Sequence, residues 1–324
     1  LNFDTPIGTD LRLAAEILKQ GGLVAIPTET VYGLAGNALD ALAVARIFEA
    51  KQRPHFDPLI VHLRNAEEVL RYAEEFPPAA QRLADNFWPG PLTLVLPRKP
   101  IVPELVTAGG PTVALRVPDH PLTGRLLDML DFPLAAPSAN PFGYISPTSA
   151  AHVHAQLGGK IDYILDGGPC KVGIESTVIA FEGEKGRILR LGGLDAKAIE
   201  SLVPELEIQT NSSSNPLSPG QLDRHYAPNT RLVIAADLAK YLHTHNPPEN
   251  TALIVFSRPQ PEWPKEKQLV LSPSNSLTEA AARLYAVLRE ADAAGYELII
   301  AEEAPAKGLG PAINDRLRRA SFRI

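Results

Sequence analysis

The chain has 324 residues, 45% of them hydrophobic, with a formal net charge of −6 and a single cysteine. Length favours two domains, and the acidic balance argues against a domain built mainly to coat nucleic acid, though not against a local basic cleft. Cys170 alone excludes an internal disulfide framework and a multi-cysteine zinc site, no long apolar run spans a membrane, and no charged-then-apolar leader is read, so a reducing, cytoplasmic setting is expected.

Thr9 or Asp10 can cap a first helix running to Gln20, which Gly21-Gly22 stops. Leu23 to Ile26 reads as a buried strand opening into Pro27-Thr28-Glu29-Thr30-Val31-Tyr32-Gly33, a polar mouth with small hydroxyls. A helix is predicted over 41–50, with Leu42, Ala45, Ile47 and Phe48 as apolar positions; Pro54 ends it by biasing Arg53 away from helical geometry. In the strand over 58–63, alternation puts Ile60 and His62 on one face and Leu59, Val61 and Leu63 on the other. Helices over 67–72 and 79–86 lead through Pro89-Gly90-Pro91 into a strand over 92–96. The strand over 112–117 sets Thr112, Ala114 and Arg116 on one face; Thr112 and Arg116 are then about 13 Å apart, which suits two ends of one nucleotide-sized ligand or merely a polar outer face.

A helix over 120–129 and a short strand over 134–140 follow, the strand ending in Ser138-Ala139-Asn140. The Pro/Gly/Ser loop up to Thr148 can cradle a phosphate, unless Thr148 simply caps the next helix, from Ser149. His152 and His154 on that helix do not face each other, so no metal pair is expected. A strand over 161–165, a turn at 166–169, a hairpin of 176–181 with 187–191, and a helix from Asp195 to Leu202 complete a first domain over 1–209. Residues 210–230 read as a linker, polar at first but ending in Arg224-His225-Tyr226-Ala227-Pro228, whose side chains suit docking onto something or merely surface polarity. Residues 231–324 read as a small α/β unit. Its strands lie over 231–234, 252–256, 268–271 and 297–301, its long helix starts with a Ser276/Glu279 capping box, and its last helix opens at Gly308-Leu309-Gly310 and ends in Arg316-Leu317-Arg318-Arg319.

Lys51 and Arg53, two apart at a helix-to-loop break, suit an anion with several oxygens, such as a polyphosphate. The plainer reading is a solvated helix terminus that offsets the dipole. Cys170, next to Lys171 in a turn, reads as inert rather than nucleophilic.

In combination, these stretches resemble one family. Pro27 to Leu34, Lys51-Gln52-Arg53-Pro54 with Pro58-Leu59-Ile60-Val61-His62, Ser138-Ala139-Asn140, Ser146-Pro147-Thr148 and Glu175-Ser176-Thr177-Val178 are similar to the signatures of YrdC-like proteins. Ser218-Pro219-Gly220, Arg224 to Pro228 and Gly308-Leu309-Gly310 extend the likeness to the long, two-domain threonylcarbamoyl-adenylate synthases. The resemblance implies an α/β protein: a twisted mixed sheet with a large concave cleft, plus a smaller Rossmann-like C-terminal domain. It implies condensation of L-threonine, bicarbonate and ATP, with Mg²⁺, to threonylcarbamoyl-AMP and pyrophosphate. Partner proteins would transfer the group to tRNA. Carried over by motif, Thr30, His62, Arg116, Ser138 and Ser176 would hold threonine. Lys51, Arg53, Asp57, Thr112, Asn140, Thr148, Arg190 and Tyr226 would line the ATP side, with Lys51 and Arg53 catalytic, exposed at the cleft, and Tyr226 closing over the nucleotide. No protein-held metal is implied.

Three departures stand out. The family usually carries Asn at Asp57, where a carboxylate repels phosphate unless a metal or Arg53 intervenes; Arg-Pro-Gly is here Arg190-Leu191-Gly192; and Met-Lys-Tyr is Gln221-Leu222-Asp223. The alternative is a binding module of the same fold that grips RNA transiently through a basic cleft without adenylating anything. A carbamoyl-transferase module is a third reading, in which zinc-finger cysteines would be expected.

Overall fold

In the computed structural model, residues 4–204, 206–210, 220 and 225–322 are described. The expectations for Ser218, Pro219, Gln221-Leu222-Asp223 and Arg224, and for the polar stretch 211–219, lie outside the described residues. The first unit runs β1 (Ile7–Gly8), α1 (Leu11–Lys19), β2 (Val24–Ile26), β3 (Gly33–Asn37), α2 (Ala41–Lys51), β4 (Ile60–His62), α3 (Val69–Tyr72), α4 (Pro78–Phe87), β5 (Leu92–Pro97), β6 (Thr112–Arg116), α5 (Pro121–Asp128), β7 (Leu134–Ala135), α6 (Ala150–Leu157), β8 (Tyr163–Leu165), β9 (Thr177–Glu182), β10 (Lys185–Arg190), α7 (Ala196–Glu200) and β11 (Glu207–Ile208). Its strands form one mixed sheet in the order β1-β8-β2-β3-β7-β4-β6-β5-β9-β10-β11.

The predicted alternation on β4 and β6 holds, because one face of each strand packs into the main core. Leu59, Val61, Leu63, Val113, Leu115 and Val117 belong to that core. Ile60 and Ala114 instead form a small apolar floor with Val95, Val178, Ala180 and Leu189 on the other face. Parallel pairing of His62 with Arg116 then brings two polar side chains side by side at the strand ends.

Several local expectations are corrected. Leu42 is 77% exposed and Ala45 is also exposed; α2 buries Ala43, Val44, Ile47 and Phe48 instead. Ser149, not Thr148, caps α6, accepting from the His152 N–H. Gly33–Asn37 was not expected as a strand, since its Gly- and Ala-rich sequence lacks β-branched residues, yet it pairs between β2 and β7.

The second unit runs β12 (Arg231–Ala235), α8 (Leu238–His245), β13 (Thr251–Val255), β14 (Gln268–Val270), α9 (Leu277–Ala293), β15 (Leu298–Glu302) and α10 (Gly310–Ser321). Its four strands are parallel, in the order β12-β15-β13-β14. Ser276 caps α9 by accepting from the Glu279 N–H, but only half of the capping box forms. The Glu279 carboxylate turns to the Ser272 and Ser274 hydroxyls, and Ser272 Oγ accepts the Ser276 N–H instead. One apolar cluster joins Val31, Ile145 and Ile174 of the first unit to Leu284, Leu288, Ile313 and Leu317 of the second, through Tyr226.

Candidate active site

The mouth predicted after β2 faces the ends of β4, β6 and β9. There a small hollow is lined by Thr30, Arg53, His62, Arg116, Ser138, Glu175, Ser176, Arg190, Gly220, His225 and Tyr226, among others. Its cavity volume is only about 40 Å³, because Gly220, His225 and Tyr226 cover it. Gly220 has a φ of +85°, and a Cβ there would lie 2.7 Å from the Tyr226 hydroxyl and 3.1 Å from the Arg190 side chain. A side chain at this left-handed position would be strained as well as crowded.

Lys51 and Arg53 were expected to be exposed. They are buried, at 1% and 5% exposure, so neither is a solvated helix terminus. The left-handed Gln52, at φ 52°, ends α2 and turns the chain so that the two cations lie inward. Lys51 Nζ donates to the carbonyls of Ser138 and Asn140, and so fixes the segment that carries both residues. Burial, with Arg53 nearby, pulls the Lys51 pKa well below the ordinary lysine range. Arg53 donates to the carbonyls of Asp57 (3.1 Å) and Pro58 (2.8 Å). Asp57 is fully buried, and its Oδ2 lies 2.8 Å from Arg53 Nη2 as an ion pair that lacks hydrogen-bond alignment. The repulsion foreseen for a carboxylate here is therefore met by Arg53.

On the other side, Arg116 donates to Glu29 Oε1 at 2.7 Å and to the Gly90 carbonyl at 3.3 Å. Burial, reinforced by Arg116, holds His62 neutral, with its pKa pulled down to about 3, and its Nδ1 makes no hydrogen bond. Thr30 and Thr28 hydroxyls are 2.8 Å apart. Ser176 Oγ is 2.7 Å from Thr93 Oγ1 and accepts from Arg190 Nη2 at 3.1 Å, while Arg190 Nε donates to the Ser176 carbonyl at 3.1 Å.

Thus Thr30, His62, Arg116, Ser138, Ser176, Arg53, Arg190 and Tyr226 come together around one hollow. Lys51, Asp57, Thr112, Asn140 and Thr148 do not line it as it stands. Lys51 and Asp57 act from behind it; the Asn140 amide donates to the Pro141 and Tyr144 carbonyls; Thr148 N–H donates to His152 Nδ1; and Thr112 pairs with Pro97 at the start of β6. Glu29, Glu175 and His225 were absent from the expected set, although each sits inside a motif already singled out. Cys170 is buried, and burial pushes its thiol up to about 12, which removes it as a nucleophile near neutral pH. A much larger cavity, about 980 Å³, is lined by the loop at Pro141 to Tyr144 and by Arg289, and among the described residues it gathers none of the expected site residues. Among the described residues, no His/Cys/Asp/Glu group is arranged to hold a metal, and no helix is long and apolar enough to cross a membrane.

Comparison with known proteins gives the family. Residues 16–192 match the Sua5/YciO/YrdC model, described as telomere recombination, and residues 194–321 match the threonylcarbamoyl-AMP synthase C-terminal domain. The threonylcarbamoyl-AMP synthase of Pyrococcus abyssi is 40% identical, with 97% of this chain and 95% of that protein covered. That of Bacillus subtilis is 39% identical, over 95% of this chain and 92% of its own length. A crystal structure of P. abyssi Sua5 complexed with L-threonine superposes with a TM-score of 0.88 at 39% identity, covering 98% of this chain and 97% of that one. The chain therefore belongs to the Sua5/YciO/YrdC family, in the two-unit form represented by the threonylcarbamoyl-AMP synthases.

Proposed function

We propose that this chain is a threonylcarbamoyl-AMP synthase, a nucleotidyltransferase that condenses L-threonine, bicarbonate and ATP and releases pyrophosphate. The observation that carries this reading is the convergence of three arginines with small hydroxyls and a neutral imidazole on one hollow. The threonine amine and bicarbonate combine to a carbamate with loss of water. A carbamate oxygen attacks the α-phosphorus of ATP, the bond to the β-phosphate oxygen breaks, and pyrophosphate leaves with the electron pair. The reactants are anionic and repel one another. Arg53 and Arg190 neutralise charge that grows on phosphoryl oxygens, and positioning supplies much of the remaining acceleration. No covalent nucleophile is required.

Arg116 grips the threonine carboxylate with the part of its fork that Glu29 leaves over, and Ser138, Ser176, Thr30 and His62 surround the rest of the amino acid. Lys51 holds Ser138 and Asn140 and, as an ammonium, would keep one N–H for phosphate. Asn140, Thr148 and Thr112 extend the nucleotide side, and Asp57 serves it by orienting Arg53. Glu175 and Asp57 are already engaged by arginines, so Mg²⁺ would come with ATP and would supply charge neutralisation at its phosphates. A cavity of about 40 Å³ holds about one water, so Tyr226 and its neighbours must lift to admit nucleotide and settle again over it. We place the chain in the cytoplasm, supplying threonylcarbamoyl-AMP to the proteins that modify tRNA.

The test is pyrophosphate release from ATP with threonine and bicarbonate omitted in turn. Release should require both; equal turnover without threonine would end the synthase reading, and retention of tRNA without turnover would favour the RNA-binding alternative.

A further inference from the structure

Glu175 precedes Ser176 in the chain and is buried beneath the hollow. Its Oε1 accepts from Ser146 Oγ at 2.7 Å, and its Oε2 accepts from Tyr285 OH at 2.8 Å and from Arg316 Nε at 2.9 Å. Tyr285 lies on α9 and Arg316 on α10, so two of these three donors come from the C-terminal unit. Arg316 is fully buried, Asp315 takes its Nη1 at 3.0 Å, and its Nη2 has no hydrogen bond.

The same two residues hold the covering segment. The Arg316 guanidinium carbon is 5.3 Å from the Tyr226 ring centroid, and the Tyr285 ring stacks on Tyr226 at 5.6 Å. The His225 N–H donates to the Arg319 carbonyl on α10 at 3.3 Å. Tyr226 itself is in the left-handed region, φ 62°, where a tyrosine is strained unless its surroundings impose the conformation. Its hydroxyl, at the hollow, is buried without a hydrogen bond. A buried ion pair adds little net stability compared with apolar residues of the same volume, so stability alone is a poor explanation for placing one here. Burial opposes the charge on Glu175, yet Arg316, Arg190 and the Ser146 bond outweigh it and bring the pKa down to about 2.

We infer that Arg316 is a positioning residue of the adenylation site: by pairing with Glu175 and lying against Tyr226, it sets Ser176 and seats the covering segment, which gives the C-terminal unit a direct part in substrate binding. This rests on the synthase reading for its kinetic consequences, but not for its structural one.

The experiment compares full-length wild type, Arg316→Met, Arg316→Lys, Glu175→Gln/Arg316→Met and the exposed control Arg318→Ala. Arg316→Met should raise the KM for threonine at least tenfold, with a smaller fall in kcat, and Arg316→Lys should recover part of that loss. The double variant has no unpaired buried charge and should melt near wild type while its KM stays raised. A double variant with both melting and KM restored would overturn the proposal, since the pair would then be structural only. Hydrogen exchange of the 225–229 backbone gives a readout independent of turnover. It should speed at least tenfold in the double variant and not in Arg318→Ala; unchanged exchange overturns the seating claim. A wild type that releases no threonine-dependent pyrophosphate would sink the synthase reading instead, while the exchange result would still decide the role of Arg316.

Discussion

At the mouth of the large sheet, buried polar atoms are left without partners: His62 Nδ1, His225 Nδ1 and the Tyr226 hydroxyl. At the carboxyl edge of the small parallel sheet, where ligands commonly bind in α/β folds, polar groups satisfy one another instead. Ser272 and Ser274 bond the Glu279 carboxylate, Glu302 accepts the Phe256 N–H, and Asn314 exchanges two bonds with the Ala304 backbone. Most buried polar groups in folded proteins are paired, so a cluster of unpaired ones is a better pointer to a ligand than sheet topology. The Gly308-Leu309-Gly310 turn fits the same account. A Cβ on Gly310 would lie only 1.7 Å from the Pro305 carbonyl, so that glycine is required by close backbone packing.

The strongest way to break this contrast is Lys51→Ala. Pyrophosphate release should fall by about 10²–10³-fold. Because Lys51 is buried, thermal melting should also drop, since two carbonyls lose a charged donor worth ~1.5–3 kcal/mol. A variant that loses activity but melts as wild type would return Lys51 to the surface role first expected of it. Asp57→Ala comes next: an unpaired buried Arg53 should cost ~3–5 kcal/mol in a denaturant titration. An unchanged midpoint would mean that Arg53 has another partner to turn to.

Acid stability sharpens the comparison further. His62 and His225 are held neutral mainly by burial, their pKa values pulled down to about 3. The unfolded chain therefore takes up their protons first, and stability should start to fall as the pH drops below about 6.5. Glu175 is depressed in the folded state, so its contribution is whole above its ordinary pKa of 4.5 and is lost as the pH falls towards 2. Melting curves should show both stages, and Glu175→Gln/Arg316→Met should lack the second. The smallest effect belongs to the small sheet: Ser276→Ala should cost ~1 kcal/mol as a lost helix cap, with pyrophosphate release unchanged. Impaired release there would show that the carboxyl edge of the small sheet reports to the active site.

Much of this was legible locally. The strand after Pro58 announced its two faces by alternation, and the structure keeps them: Val61 in the core, His62 at the hollow. Pro54 marked the end of α2. The α2 face itself was misjudged, because Leu42 is apolar but lies on the exposed side of the helix. The short, glycine-rich β3 carried no strand signal and forms only because β2 and β7 flank it.

The sequence by itself determined which chemistry is present: cations at a helix end, hydroxyls at strand ends, an Arg and a Ser on neighbouring strands. Those properties follow from residue type and short-range periodicity. Tertiary structure alone decided that Lys51 and Arg53 point inward, that Asp57 answers Arg53, and that Glu175 meets Arg316 from 141 positions away. Burial and ion pairing depend on what the rest of the chain places alongside a residue, and no local pattern encodes that neighbour.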